Sequence, residues 1–301
     1  MATAQLTPIG VGIRNVLIAT DFSRCSSAAF HLGLQLSKAY NATAYIVFVL
    51  PNDPYLLAGP EAYVAARDAA RRDLEELENE VRRTYGELPY DNYRLFLLDG
   101  EIADAILNFA RQKEIDLIIL GTHGRRPLPK VLLGSVAERV FRHSPVPVLT
   151  LGPAVCRAAA TGEPQSILVA ADFTPASLRA VRFAAGLAHE HKSNLTLVHV
   201  LDPKQLEHVP DRAAIERGVE TRLMEMLGRE NEGLNCTVGI EVGRITEKIL
   251  DLAREEAADL LVMGVRRSSG VLDRLAIPHA YEIVRESPCP VLTLRENRTL
   301  N

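Results

Sequence analysis

Short unbroken apolar runs alternate along this chain with longer stretches in which apolar residues return every three or four positions. Asn15-Val-Leu-Ile-Ala-Thr20, Thr43 to Leu50 and Asp116-Leu-Ile-Ile-Leu120 are runs of the first kind. Strands rich in Val, Ile and Leu without polar alternation are buried on both faces, which predicts a parallel sheet covered by helices. In the first half the pattern predicts strands near 15–20, 43–50, 92–98, 116–120 and 147–151. Helices are expected near 24–39, 61–85, 101–113 and 135–143. In the second half strands are expected near 166–171, 195–200, 236–242, 259–263 and 290–294. Regular strand–helix alternation defines an α/β, doubly wound domain whose ligand edge lies beyond the C-terminal ends of the strands. Asp21 and Gly121 both fall at that edge.

The two halves repeat one another. Asn15-Val-Leu-Ile-Ala-Thr-Asp-Phe-Ser23 aligns with Ser166-Ile-Leu-Val-Ala-Ala-Asp-Phe-Thr174, and Asp116-Leu-Ile-Ile-Leu-Gly121 with Asp259-Leu-Leu-Val-Met-Gly264. The closing segments Ser144 to Leu151 and Ser287 to Leu294 match as well. Copies of this length are duplicated domains rather than solenoid units. The expected division is a first domain over 1–152, a linker over 153–165 rich in Ala, Gly and Pro, and a second domain over 166–301. An eight-residue difference in spacing accumulates between Asp21/Asp172 and Gly121/Gly264. The turn-rich segment Pro51 to Pro60 is the expected site of the insertion.

Composition narrows the class. The chain has 301 residues, 47% hydrophobic and 24% charged, with a formal net charge of −4. That suits two domains with their own cores and argues against a nucleic-acid partner. The apolar runs are too short to span a membrane, and the first residues lack the pattern of a secretion signal, so a cytoplasmic location is expected. Four cysteines, Cys25, Cys156, Cys236 and Cys289, carry no C-x-x-C pair and no paired histidine spacing. They read as reduced packing residues, and no metal site is expected. The Arg- and Glu-rich stretch 66–83 reads as a solvated helix face.

The chemistry concentrates between Gly121 and Ser135. Gly121-Thr-His-Gly124, nine further residues and Gly134-Ser135 stand between a buried strand and a helix. Glycines permit close backbone approach to an oxyanion, and a helix N-terminus adds partial positive charge. The loop has neither the Gly-Lys-Ser/Thr of a Walker A motif nor a compact G-x-G-x-x-G. Arg125, Arg126 and Lys130 could meet phosphate oxygens or remain solvated. A purely structural reading also exists: glycines that end a strand, and Ser135 capping a helix. Asp21 could hold a nucleotide base or ribose, or act as a turn acid before Ser23, a candidate helix cap. His123 has no apparent partner for general-base catalysis.

The G-x-x-G-x9-G-S signature, the opening Ile-Ala-Thr-Asp-Phe-Ser and the close Pro-Val-Pro-Val-Leu resemble the universal stress protein family in its tandem form, from about Arg14 to Leu294. The resemblance implies that each domain is a five-stranded parallel sheet of order 3-2-1-4-5 flanked by helices. It implies ATP as ligand, with magnesium as a companion left open. By position, Asp21 and Val49 would contact adenine, and Gly121, Thr122 and Gly124 would approach ribose and phosphates. Gly134, Ser135 and Val136 would hold the phosphate tail. It further implies an internal pseudo-dimer of the two domains through Val146–Leu151 and Cys289–Leu294. A homodimer of the whole chain and a regulatory protein partner are left open.

The second copy departs at the same loop. Arg267 replaces the second glycine, and Ile277-Pro278 stands in place of Gly134-Ser135. A branched side chain and a proline lacking an N–H remove the close approach and one donor. The expectation is ATP binding by the first domain and architecture or signalling by the second, in a regulatory stress-response protein. A slow ATPase or nucleotide-dependent transferase, and a nucleotide-free interaction scaffold, remain as alternatives. No catalytic residue is assigned.

Overall fold

The computed structural model describes residues 12–51, 59–85, 92–122, 134–157, 163–207, 211–228, 232–265 and 277–296. The chain divides into two compact units, Ile13–Gly162 and the chain from Glu163 onward. The first runs β1 (Asn15–Thr20), α1 (Arg24–Ala39), β2 (Thr43–Leu50), α2 (Pro60–Tyr85), β3 (Tyr93–Asp99), α3 (Ile102–Gln112), β4 (Leu117–Gly121), α4 (Ser135–His143) and β5 (Val148–Leu151). A single 3-10 turn, Val155–Arg157, follows. The second runs β6 (Ser166–Ala170), α5 (Pro175–His191), β7 (Asn194–Leu201), α6 (Pro203–Leu206), α7 (Arg212–Leu227), β8 (Cys236–Val242), α8 (Ile245–Glu255), β9 (Leu260–Val265), α9 (Ile277–Glu286) and β10 (Val291–Arg295).

Each domain carries a parallel sheet of the expected order. The first reads β3-β2-β1-β4-β5 and the second β8-β7-β6-β9-β10. The order places β1 and β6 at the centre, where their middle residues are shut off from water. Val16, Leu17 and Ile18 are fully buried, as are Ile167, Leu168 and Val169. Burying one such side chain stabilises the fold by about 1.5–3 kcal/mol. The register is pinned at its start by an acid that the repeat also keeps. Asp116 Oδ2 accepts the N–H groups of Arg14 and Asn15 at 2.8 and 2.9 Å. Asp259 Oδ2 does the same for Gln165 and Ser166 at 2.8 and 3.1 Å. Both acids precede their strands rather than opening them, so β4 and β9 begin one residue later than the apolar pattern suggests.

The length difference between the copies arises in a helix: α2 spans 26 residues where α7 spans 16, and segments one residue longer on each side of α7 reduce the net difference to eight. Pro60, expected in an inserted loop, opens α2, and residues 52–58 of that segment lie outside the described residues. Ala70, Leu74 and Val81 of α2 are buried, while Arg71, Arg72, Glu75 and Glu76 face solvent, the solvated face that the charge pattern predicts. Among the described residues no helix is long and apolar enough to cross a membrane.

Strand ends and helix starts meet at glycines. A Cβ placed on Gly121 would lie 2.7 Å from the carbonyl carbon of Cys25 and 2.8 Å from its Cβ. One placed on Gly264 would lie 2.3 Å from Ser177 N and 2.5 Å from the carbonyl carbon of Ala176. In both domains a glycine at the end of the fourth strand, last in β4 and next to last in β9, therefore packs on the backbone of the first helix's opening turn. Backbone cannot rotate away as a side chain can, so Gly264→Ala must displace α5. The expected cost is roughly 1–3 kcal/mol or more, read from the midpoint of urea unfolding. Unchanged stability would show that α5 moves aside freely.

Candidate functional site

The C-terminal edge of the first sheet is shaped by the turn between β1 and α1. Asp21 Oδ1 accepts the Ser23 N–H at 3.0 Å, Thr20 Oγ1 accepts the Phe22 N–H at 3.1 Å, and Ser26 Oγ accepts the Asp21 N–H at 3.3 Å. Ser23 caps α1, its Oγ accepting the Ser26 N–H at 3.2 Å. Between them Phe22 adopts a left-handed backbone, φ +59°, a conformation that is costly for a residue with a Cβ. The turn holds it there and packs its ring against Phe48 of β2 in a tilted pair, centroids 4.9 Å apart. Asp21 is thus a turn acid at the strand edge, half-buried. The second domain builds the same turn: Asp172 Oδ1 accepts the Thr174 N–H at 3.1 Å, and Phe173 has φ +60°.

The two ends of the glycine motif are brought together. Thr122 follows β4 and is buried, and its N–H and Oγ1 both donate to Leu151 O, at 3.0 and 3.2 Å. Its own carbonyl accepts the Gly134 N–H at 2.9 Å. A Cβ on Gly134 would lie 2.6 Å from that oxygen, so this closure demands glycine. Gly134, not Ser135, is the N-cap of α4, and it offers no side chain to the helix. That corrects the reading of Ser135 as a cap: the cap position has no hydroxyl, and Ser135 is the exposed first residue of the helix. The caps of α1, α3, α5 and α7 (Ser23, Glu101, Thr174 and Asp211) all accept an amide with a side chain. The α4 start differs from these four: Gly134 leaves the first-turn amides of Ser135 and Val136 without a side-chain cap, and such amides suit an anion.

Neighbouring elements fix this helix in place. Arg139 of α4 meets Asp104 at 2.8 Å and Glu101 at 3.2 Å, both at the start of α3. Val49 is buried one residue before the end of β2. Asp99 ends β3 and takes the hydroxyl of Tyr63 and the guanidinium of Arg67, both from α2. Burial by itself would raise the Asp99 carboxyl, but those two partners outweigh it and hold it below the usual range. Gly124, His123, Arg125, Arg126 and Lys130 lie outside the described residues. Asp21, Val49, Gly121, Thr122, Gly134, Ser135 and Val136 all fall at strand ends or the α4 start, along one edge of one domain.

The family model described as universal stress protein family matches residues 12–151 and again 164–295, nearly the whole chain. The chain belongs to the universal stress protein family. A universal stress protein of Methanocaldococcus jannaschii is 30% identical over 46% of this chain and 81% of its own length. One from Thermus aquaticus is 32% identical over 44% of this chain and 98% of its own. These single-domain relatives each match about half of the tandem chain. A universal stress protein structure from Archaeoglobus fulgidus matches both halves, with a TM-score of 0.74 at 22% identity, covering 96% of this chain and 98% of that one.

Sequence reasoning missed three features of this universal stress protein. Cys25 and Cys156 form a disulfide, with Cα atoms 5.1 Å apart across a separation of 131 residues. That corrects the reading of four reduced cysteines. No local spacing announces a pair that only the fold joins. The tilted Phe22–Phe48 pair was signalled only by an aromatic directly after Asp21. In the second domain, Phe173 packs tilted against His199 at 4.5 Å, and the Arg222 guanidinium covers the Phe173 ring at 4.1 Å. His199 Nδ1 lies 2.7 Å from Ala171 O. The shared Asx turn yields a paired expectation. Asp21→Ala and Asp172→Ala should each lower stability by about 1 kcal/mol, the net value of one hydrogen bond, in chemical unfolding. A cost confined to one domain would contradict a common turn role.

Proposed function

We propose that this tandem universal stress protein is an ATP-binding regulatory protein that holds its nucleotide in the first domain. The observation that carries this reading is the Thr122–Gly134 closure, which sets an α4 N-terminus without a side-chain cap against the end of β4. The residues present fit a phosphate-bearing ligand there, because Gly134 keeps Cβ atoms away from a helix start whose amides point outward. Asp21 and the buried wall at Val49 stand at the same strand edge, the topological switch point where doubly wound sheets take nucleotides. A carboxylate there suits the amino or hydroxyl donors of an adenosine. The phosphates belong at the start of α4.

The second domain keeps the turn and loses the cradle. Pro278 stands within the first turn of α9 and has no N–H to offer. At its strand edge the guanidinium of Arg222 already covers Phe173, beside Asp172. Its contribution is architecture or signalling.

Two variants test the reading. Ser135→Pro removes one amide donor at a helix position that tolerates proline. Losing one hydrogen bond to a charged phosphate costs about 1.5–3 kcal/mol, so ATP should bind roughly 10- to 100-fold more weakly, with unchanged far-UV circular dichroism. Gly134→Ile with Ser135→Pro copies the second domain's loop and should abolish measurable binding. Wild-type affinity in either variant would place the phosphates elsewhere. Release of many phosphates per chain each second, under saturating ATP and magnesium, would replace the regulatory reading with an enzymatic one.

A further inference from the structure

The Cys25–Cys156 disulfide lies directly beneath the glycine closure. Cys25 is the second residue of α1, and its backbone and Cβ are the atoms on which Gly121 packs. Cys156 belongs to the 3-10 turn that follows β5. Its N–H donates to Gly152 O at 3.1 Å, and Val155 beside it is buried. One residue before Gly152, Leu151 O holds both polar groups of Thr122, whose carbonyl in turn holds Gly134. A continuous path of covalent and hydrogen bonds therefore runs from the sulfur pair through Leu151 and Thr122 to the start of α4. The other two cysteines are built differently. Cys289 is buried and its thiol pushed up to about 11 by burial, and burial raises the Cys236 thiol as well.

We propose that Cys25–Cys156 is a thiol–disulfide exchange site whose state sets the affinity of the first domain for its nucleotide; the second clause rests on the ATP reading above. The co-reactant is a dithiol reductant, and in the reverse direction a disulfide oxidant. Cys156 is half-exposed whereas Cys25 is buried, so the incoming thiolate attacks the Cys156 sulfur. The Cys25–Cys156 bond breaks, a mixed disulfide forms at Cys156, and Cys25 leaves as a thiolate that then takes a proton. Its place in the first turn of a 16-residue helix favours that departing negative charge. The reductant's second thiol displaces Cys156 and closes the reductant's own disulfide. Two electrons and two protons pass to the protein pair. Disulfides in reducing compartments are commonly transient or sensing rather than permanent. Once reduced, the 3-10 turn loses its covalent tie to α1, and Leu151 and Thr122 lose the brace that keeps the α4 start ready for a ligand. Preorganisation of this kind appears in affinity.

The test uses the full chain isolated without reductant, and again after treatment with dithiothreitol and its removal. Thiol counting in denaturant should find two free thiols in the first sample and four in the second. Four in the first would overturn the exchange site. Amide hydrogen exchange at Thr122 and Gly134, followed by NMR without nucleotide, should quicken at least five-fold on reduction. ATP affinity, by calorimetry, should weaken at least five-fold. Cys156→Ser, and Cys156→Ala should the serine variant misfold, should match the reduced protein whether or not dithiothreitol is present. Equal exchange rates and equal affinities in the two states would overturn the coupling. Faster exchange on reduction, with no ATP binding in either state, would support the exchange site and its brace while refuting the nucleotide reading.

Discussion

Everything at the working edge of each domain depends on one close backbone approach. Gly121, which ends β4, and its counterpart Gly264, next to last in β9, touch the main chain of the helix that follows the first strand. No side chain fits between them, so strand and helix come together as rigid pieces. The turn before the helix must therefore be equally exact, and the Asx turns at Asp21 and Asp172 supply it together with the left-handed Phe22 and Phe173. The same approach explains why Gly264 persists in a copy where Arg267 and Ile277 stand in place of Gly124 and Gly134. Its role there is packing, and a ligand is not needed to account for it.

This changes the meaning of the motif. From sequence, its glycines taken jointly suggest approach to phosphate, beside a structural reading in which they end a strand and start a helix. In the structure Gly121 is filled from behind by Cys25, and Gly134 is the residue that frees a helix start. The distinction is physical. Gly121 is glycine because protein already occupies the Cβ position, whereas Gly134 closes a loop onto Thr122 and leaves the amides of α4 without a side-chain cap. The two domains share the first condition, and where the first has Gly134-Ser135 the second has Ile277-Pro278 in sequence.

Much of the scaffold was legible because its signals are local. β1, β2, α1 and α4 fall where unbroken apolar runs and three-to-four-residue periodicity put them. The strand order followed from the resemblance carried by Asp21, Gly121 and Gly134-Ser135. Where the reading slipped, a nonlocal interaction had decided the matter. Asp116 and Asp259 looked like strand residues but clamp a distant strand's start. The extra length of the first domain went into α2, whose buried Ala70, Leu74 and Val81 extend its packing face. The four-residue α6 is too short to show periodicity. The Cys25–Cys156 pair is a property of the folded chain, and no window of sequence contains both residues.

The central claim is that one chain carries one nucleotide site, in the domain whose α4 is preceded by Gly134 at its N-cap. Calorimetric titration of the intact chain with ATP and magnesium tests it most directly, because stoichiometry does not depend on assigning individual contacts. The account predicts one site per chain. Two equivalent sites per chain, or none, would contradict it.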